Sequence, residues 1–392
     1  MRLLIHHHAV AHVNSDGIWI HSTIGKWISQ LSKYFQNVGL LVHVSENRMP
    51  VQDTCITNEN VVLHSLGAPG IMWDKIKRTS RIKRVCCELD NQYDFLLIRG
   101  ITPRQHVIWN EIKVKTLKKY FLLVGSPNYN LILSKLHSFS EMYHWYMERL
   151  RRMELKFILK NGSLIVNAPN LQKEAKIVFN VVADFVPTNT ISIKEFLTFK
   201  VRKVINPIRL LFCGRIEIKK GIIEAINAVN ILINGGYQVK LDLIGPFVDD
   251  KFYTEAKTLI NKLNINKQVI FHDRIPYGEK LFQYFEKSDI FILPSYTEGF
   301  PHVIWESAAN CCPIITTSVG GIPSLFKHQQ HGILIPAKDH QALADSIIEL
   351  ITNKSLRTKI VTNAYNLAQE YTAESCAKKL AEVILSENEK HS

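Results

Sequence analysis

From residue 206 onward, short apolar runs alternate with stretches whose apolar residues recur at three- and four-residue spacing. IRLLFCG (208–214) reads as a buried strand. KKGIIEAINAVNILINGG then sets Ile222, Ile223, Ile226, Val229 and Ile233 at helical spacing and stops at Gly235-Gly236. VKLDLIG (239–245) predicts the next strand, with a helix after it through about 262. QVIFHD, a helix at 277–287 and DIFILPS continue the alternation, followed by PIITTS, HGILIP and a helix from about 339. Continuous apolar strands separated by helices imply a parallel sheet covered on both faces.

The first half repeats this less regularly. RLLIHHH, a helix near 25–37, LLVHV, VVLHSL, DFLLIRG, KYFLLVG, SLIVNAP and NVVADFVP read as strands with intervening helices. The fold class is therefore α/β, with two Rossmann-like domains over 1–195 and 206–370. They are joined where TNTISIKEFLTFKVRKVINP has little core pattern. The last helix, about 374–392, either stays with the second domain or packs back on the first.

At 392 residues, two domains is the natural expectation. An apolar fraction of 46% with 21% charged residues excludes a disordered chain, and no uncharged apolar run is long enough for a membrane-spanning helix. MRLLIHHHAVAH makes a poor signal peptide and a good first strand. Seven cysteines with no C-x-x-C spacing point to reduced thiols in a cytosolic protein. Charge is lopsided: residues 1–200 have 26 Lys+Arg against 15 Asp+Glu, whereas 201–392 have 22 against 20. The two halves therefore suit different partners.

Open parallel sheets bind ligands beyond the carboxyl ends of their strands. LLFC runs into GRIEIKKG, which puts Arg215 and Lys220 beside a strand end and the start of a helix. Two cations with free helix N–H groups suit a diphosphate; the alternative is a pair of solvated surface cations. After DIFILPS comes PSYTEGFPHVIWE (294–306), with Glu298 at a loop and Glu306 inside the following helix. Gly299 permits close backbone approach, and Pro301 suits a helix's first turn. A rise of about 1.5 Å per residue separates the acids enough to grip different parts of one elongated ligand. Carboxylates accept hydrogen bonds from vicinal hydroxyls, so acids flanking a cationic centre fit a sugar–diphosphate–ribose skeleton. The bland alternative makes Glu298 a helix cap and Glu306 a solvent-facing residue. A further Gly-Gly loop in TTSVGGIPSLFKHQQHGILIP weighs against it.

The ordered set GRIEIKKG, PSYTEGFPHVIWESAANCCPIITTSVGGIP and HGILIP resembles glycosyltransferase family 4, the retaining enzymes of GT-B fold. Glu298 and Glu306 meet its E-x7-E element; Arg215, Lys220 and Gly221 meet its Arg…Lys-Gly element. The likeness spans about 208–336 and is weaker before that, where FVPTNTI stands in place of a Pro-Asn-Gly corner. It implies two Rossmann-like domains facing each other across a cleft, closing to exclude water. It implies Arg215 and Lys220 on the donor diphosphate, and Glu298 with Gly299, Phe300 and Pro301 on the donor sugar. Glu306 would hold the ribose, Gly214 and Gly221 would line the donor loop, and the backbone at Arg274-Ile275 would meet the base. No cofactor and no metal are expected.

The implied activity is retaining transfer of a hexose from a nucleotide-diphosphate sugar to a hydroxyl of a glycan or lipid-linked acceptor. The product would be a surface polysaccharide, such as capsule or lipopolysaccharide, or a glycolipid. A GT-B epimerase or phosphorylase, or a non-catalytic scaffold, are the competing readings. On the acceptor side, Asn14, Asp16 and Gly17 follow the first strand, and Arg99 stands where several family members have a histidine. Arg99 could bind an acidic group or phosphate instead. His6-His7-His8 and His12 lack carboxylates at ligand spacing, which favours a cleft-lining loop or plain structure over a metal site. WDKIKRTSRIKR (73–84) is an amphipathic basic segment, either docking on an anionic membrane at its inner face or forming a solvated surface. KVKTLKKY and RLRR (149–152) extend that bias, and no nucleic-acid-binding motif accompanies it.

Overall fold

The computed structural model describes residues 1–69, 75–100, 105–116, 118–124, 149–150, 153–160 and 162–386. Two compact units divide the chain: Met1–Thr190 with Ala373–Ser392, and Ile191–Thr372.

The first unit contains β1 (Arg2–Asn14), β2 (Gly17–Ile20), β3 (Asn37–Val44), β4 (Thr54–Ile56), β5 (Val61–Ser65), β6 (Phe95–Arg99), β7 (Lys118–Leu123), β8 (Ser163–Val166) and β9 (Ala183–Phe185). Seven of them form a parallel sheet in the order β5-β3-β1-β6-β7-β8-β9. Helices α1 (Ser22–Leu31), α2 (Lys75–Glu88), α3 (Gln105–Glu111) and α4 (Pro169–Phe179) connect them. Alternate residues of a strand face the same side. The rows Leu3-Ile5, Phe95-Leu97 and Tyr120-Leu122 accordingly form one apolar surface, packed with Ile24, Trp27, Ile28 and Leu31 of α1. The terminal helix, Ala373–Ser386, adds Leu380, Ala381 and Ile384 to this core, and its Ile384 carbonyl accepts from the Tyr120 hydroxyl at 3.0 Å.

All seven strands read from the first half are present, but the first is longer than expected. It does not end at the histidines. Its register against β3 shifts between His6 and Val10, a bulge, and the strand then continues to Asn14 as one arm of an antiparallel hairpin with β2. β2 in turn pairs β4. The helix expected near 25–37 is α1, followed by a 3-10 turn at Ser32–Tyr34.

In the second unit, β10 (Ile208–Cys213), β11 (Val239–Ile244), β12 (Val269–His272), β13 (Ile290–Leu293), β14 (Ile314–Thr317) and β15 (Ile333–Ile335) are all parallel, in the order β12-β11-β10-β13-β14-β15. They alternate with α5 (Ile222–Asn234), α6 (Asp250–Lys262), α7 (Glu279–Lys287), α8 (His302–Ala309), α9 (Ile322–Leu325), α10 (His340–Thr352) and α11 (Lys354–Glu370). The chain winds outward one way from β10 and the other way from β13, so strand order reverses between these two. Such a switch point leaves a crevice beyond the strand ends. Trp305 of α8 anchors the surroundings: it is fully buried, with Phe300 stacked at 4.8 Å and Tyr371 at 5.3 Å. Truncating such a side chain costs about 3–5 kcal/mol.

Candidate functional site

The loop after β10 begins at Gly214, whose N–H donates to the Ile244 carbonyl at 2.9 Å. It passes Arg215, forms a 3-10 turn at Ile218–Lys220 and enters α5 through Gly221. Gly221 has φ +69°, and a Cβ there would lie 2.0 Å from the Pro294 carbonyl oxygen. Only glycine lets this loop press against the end of β13. The contact is reinforced by the Tyr296 N–H, which donates to the Lys219 carbonyl at 2.8 Å. The Tyr296 hydroxyl donates to Glu224 at 2.7 Å; burial and then this carboxylate push the phenol's pKa up.

Glu298 lies in the loop after β13. Its Oε1 accepts from Lys220 Nζ at 2.6 Å and from the buried Ser295 hydroxyl at 2.7 Å. The paired side chains retain 16% exposure for Lys220 and 9% for Glu298, so water screens the contact weakly. A third loop supports them: Thr317, ending β14, donates to the Ser295 carbonyl at 2.5 Å. Gly321 N–H donates to the Gly299 carbonyl at 2.7 Å. Gly320, at φ +56°, comes so close that a Cβ would stand 1.7 Å from the Glu298 carbonyl oxygen.

Glu306 is on α8 and 8% exposed. Burial, and then the Glu306 carboxylate, raise the pKa of the Cys213 thiol, so this acid stands close to the last residue of β10. Both bland alternatives for the acids fail. Glu306 does not face solvent. The cap of α8 is Pro301, with no side-chain cap bond, and Glu298 is engaged elsewhere. Pro301 itself departs from expectation: it precedes the helix in extended conformation (φ −76°, ψ 126°), and the first turn starts at His302. The Phe300 ring belongs to the core against Trp305, leaving its backbone and that of Gly299 to line the loop.

The remaining candidates are dispersed. Arg215 is on the same loop as Lys220, but its side chain is 64% exposed and pairs with Glu217 at 3.1 Å. Arg274 and Ile275 follow the edge strand β12, with β11 between them and the switch point. Asn14, Asp16 and Gly17 build the exposed β1–β2 turn. Asn14 accepts there from the Asp16 N–H at 3.0 Å and from Trp19 Nε1 at 3.1 Å. Half of β1 separates that turn from Arg99, which is paired in register with His7. His6 bonds the Leu41 carbonyl at 2.9 Å, with its pKa lowered to about 4 chiefly by burial, and His12 bonds the Ser45 carbonyl at 3.2 Å. Among the described residues, no three His, Cys, Asp or Glu side chains cluster as metal ligands.

In the basic segment, Trp73 lies outside the described residues, as do the side chains of Lys75, Lys77 and Arg78 and all of Arg151-Arg152. Lys83 pairs with Glu111 at 2.9 Å and Arg84 with Glu88 at 3.9 Å, so part of its charge is locally neutralised. No described helix is long and apolar enough to cross a membrane. Sequence reasoning missed Ser295, Glu224 and the Gly320 contact. The Gly-Gly after PIITTS was the available signal for the last.

Residues 193–367 match the model of the family described as "Glycosyl transferases group 1". CapM of Staphylococcus aureus, named a capsular polysaccharide biosynthesis glycosyltransferase, is 32% identical over 201 residues, 50% of this chain and 51% of that protein. AmsK of Erwinia amylovora, named an amylovoran biosynthesis glycosyltransferase, is 30% identical over 198 residues, 48% of each chain. The chain spans about half the length of the curated relatives it matches. HepE of Anabaena, solved with UDP, is similar in fold with a TM-score of 0.71, covering 98% of this chain and 100% of that one at 14% identity. The fold is GT-B.

Proposed function

We propose, from the match of residues 193–367 to the group 1 glycosyl transferases, that this chain transfers a hexose, with retention, from a nucleoside-diphosphate sugar to a hydroxyl of a glycan or lipid-linked acceptor. The names of its relatives favour surface polysaccharide or glycolipid as the product. The observation that supports this best is the Lys220–Glu298 pair at the β10/β13 switch point, with Glu306 beside the end of β10.

In this reading the resting ion pair is a placeholder. On arrival the donor diphosphate takes Lys220 from Glu298, and Arg215 moves from Glu217 to join it. The first-turn N–H groups of α5, unpaired within any helix, add the positive end of the dipole. Glu298, released, accepts hydrogen bonds from the sugar hydroxyls, and Glu306 accepts those of the ribose. The bond between the anomeric carbon and the diphosphate oxygen breaks while the acceptor oxygen bonds to that carbon on the same face. The departing diphosphate oxygen takes the acceptor proton. Charge developing on the leaving group is met by preorganised cations, which is the principal catalytic term. No metal is required.

The test is to incubate the purified chain with a panel of nucleotide sugars and acceptors in the presence of a chelator, following release of nucleoside diphosphate. Transfer, or slow donor hydrolysis, is expected with one donor class. Absence of both with every donor would sink the proposal.

A further inference from the structure

The first unit has a switch point of its own. In its parallel sheet the strand order reverses between β1 and β6, and the last register pair between them joins His7, midway along β1, to Arg99, the final residue of β6. Leu3-Ile5-His7 and Phe95-Leu97-Arg99 are continuous rows, so the core face of the sheet runs straight into a histidine and an arginine. Arg99 is only 4% exposed. Among the described residues, its Nε and Nη1 are buried without a hydrogen-bond partner and no acid forms an ion pair with it. It is held over the face of Trp27 at 4.6 Å. Burial lowers its pKa to about 10, which leaves it fully charged near neutrality.

A buried, unpaired guanidinium is costly, and a fold retains one where something else completes it. We propose that Arg99 and the His7–His8 bulge form an anion-binding subsite, which takes the carboxylate or phosphate of the acceptor.

The neighbours suit an anion. His7 Nδ1 accepts from the Ala9 N–H at 2.8 Å, so in its neutral form the proton sits on Nε2 as a donor. His8 stacks on His7 at 4.3 Å. Both imidazoles are kept neutral, by burial first and then by Arg99, so they supply donors without adding a second cation to repel it. The register shift of β1 against β3 falls between His6 and Val10, while His7 keeps its place opposite Arg99. Among the described residues, a Cβ at Gly100, just beyond Arg99, would meet nothing within 4 Å. The planar fork of an arginine binds carboxylate or phosphate in bidentate fashion, which is the recognition such a group requires.

Only the word acceptor rests on the transferase reading; the anion site itself does not. The experiment is calorimetric titration of the full chain with methyl phosphate and, separately, with methyl glucuronide. It is done in a Lys220→Met background, so that the diphosphate loop does not respond. Binding of either anion is expected, and which one binds identifies its source. Arg99→Met should weaken it about tenfold or more, since a charge-assisted bond is lost, and should leave the melting temperature unchanged or higher. Arg99→Lys, which keeps the charge, should retain part of the affinity. Failure of both anions to bind the Arg99 chain overturns the proposal, as does equal binding by Arg99→Met. Anion binding in this background with no nucleotide sugar bound by the native chain keeps this subsite and loses the transferase reading. The reverse result does the opposite.

Discussion

Replacing Glu298 by glutamine separates two effects with opposite signs. The amide can still accept from Ser295, but Lys220 loses its counter-charge. At the observed 2.6 Å, and with an effective dielectric near 20, the direct attraction is about 6 kcal/mol. Most of this offsets desolvation. Breaking a fully buried pair costs about 3–5 kcal/mol, and the residual exposure of Lys220 brings the expected loss to about 1–3 kcal/mol. In a unit of this size that lowers the melting temperature by roughly 2–4 °C per kcal/mol. Nucleoside diphosphate binding should move the other way, because Lys220 no longer has to leave a carboxylate. Its affinity should hold or improve in Glu298→Gln and fall about tenfold or more in Lys220→Met, while sugar transfer collapses in both. Differential scanning fluorimetry with and without nucleoside diphosphate, then calorimetric titration, reads all three quantities. Equal loss of nucleoside diphosphate affinity in both variants would refute the placeholder reasoning.

Three further outcomes follow from the coordinates. Gly320→Ala forces a left-handed alanine, costing about 1–2 kcal/mol, and drives a methyl into the Glu298 carbonyl. Displacing Glu298 by about 1 Å should cut kcat/KM roughly 100-fold, and a steady-state assay showing less than a fivefold loss would contradict it. Arg202 donates to the carbonyls of Phe285 and Ser288 at 2.8 Å, and also to those of Glu286 and Asn310, tying the ends of α7 and α8. Arg202→Met should lower stability by about 2–4 kcal/mol, seen as a shift in urea midpoint at constant m. For His6, the folded pKa of about 4 lies below the unfolded 6.5, so between these values only the unfolded chain binds the proton. Its contribution is complete above pH 6.5 and lost as pH falls toward 4, by about 2 kcal/mol at pH 5. His6→Gln should flatten that part of the pH–stability curve.

The parallel strands were legible because, buried on both faces, they are written as unbroken apolar runs such as IRLLFC and DIFIL. β2 and β4 were not, because four and three residues give too little periodicity and β4 pairs with a strand distant in sequence. The bulge at His7–Ala9 was equally hidden, since register is a property of the neighbouring strand. At the candidate site, the residue types and loop positions of Lys220, Glu298 and Glu306 could be read directly. Their mutual arrangement could not, because Lys220 and Glu298 are 78 positions apart. Ser295 reads as an ordinary turn residue until its hydroxyl is found on Glu298. The burial of Arg99 follows from two strand rows meeting, which one strand alone does not show.

The central claim is that the loops after β10 and β13 bind a nucleoside diphosphate. Its most direct test is a calorimetric comparison of UDP and GDP binding by the native chain and by Lys220→Met and Glu306→Gln, in chelator. The account predicts saturable one-to-one binding of one nucleotide, weakened about tenfold or more by either substitution through loss of a charged partner. Binding of neither nucleotide, or binding indifferent to both substitutions, would contradict it.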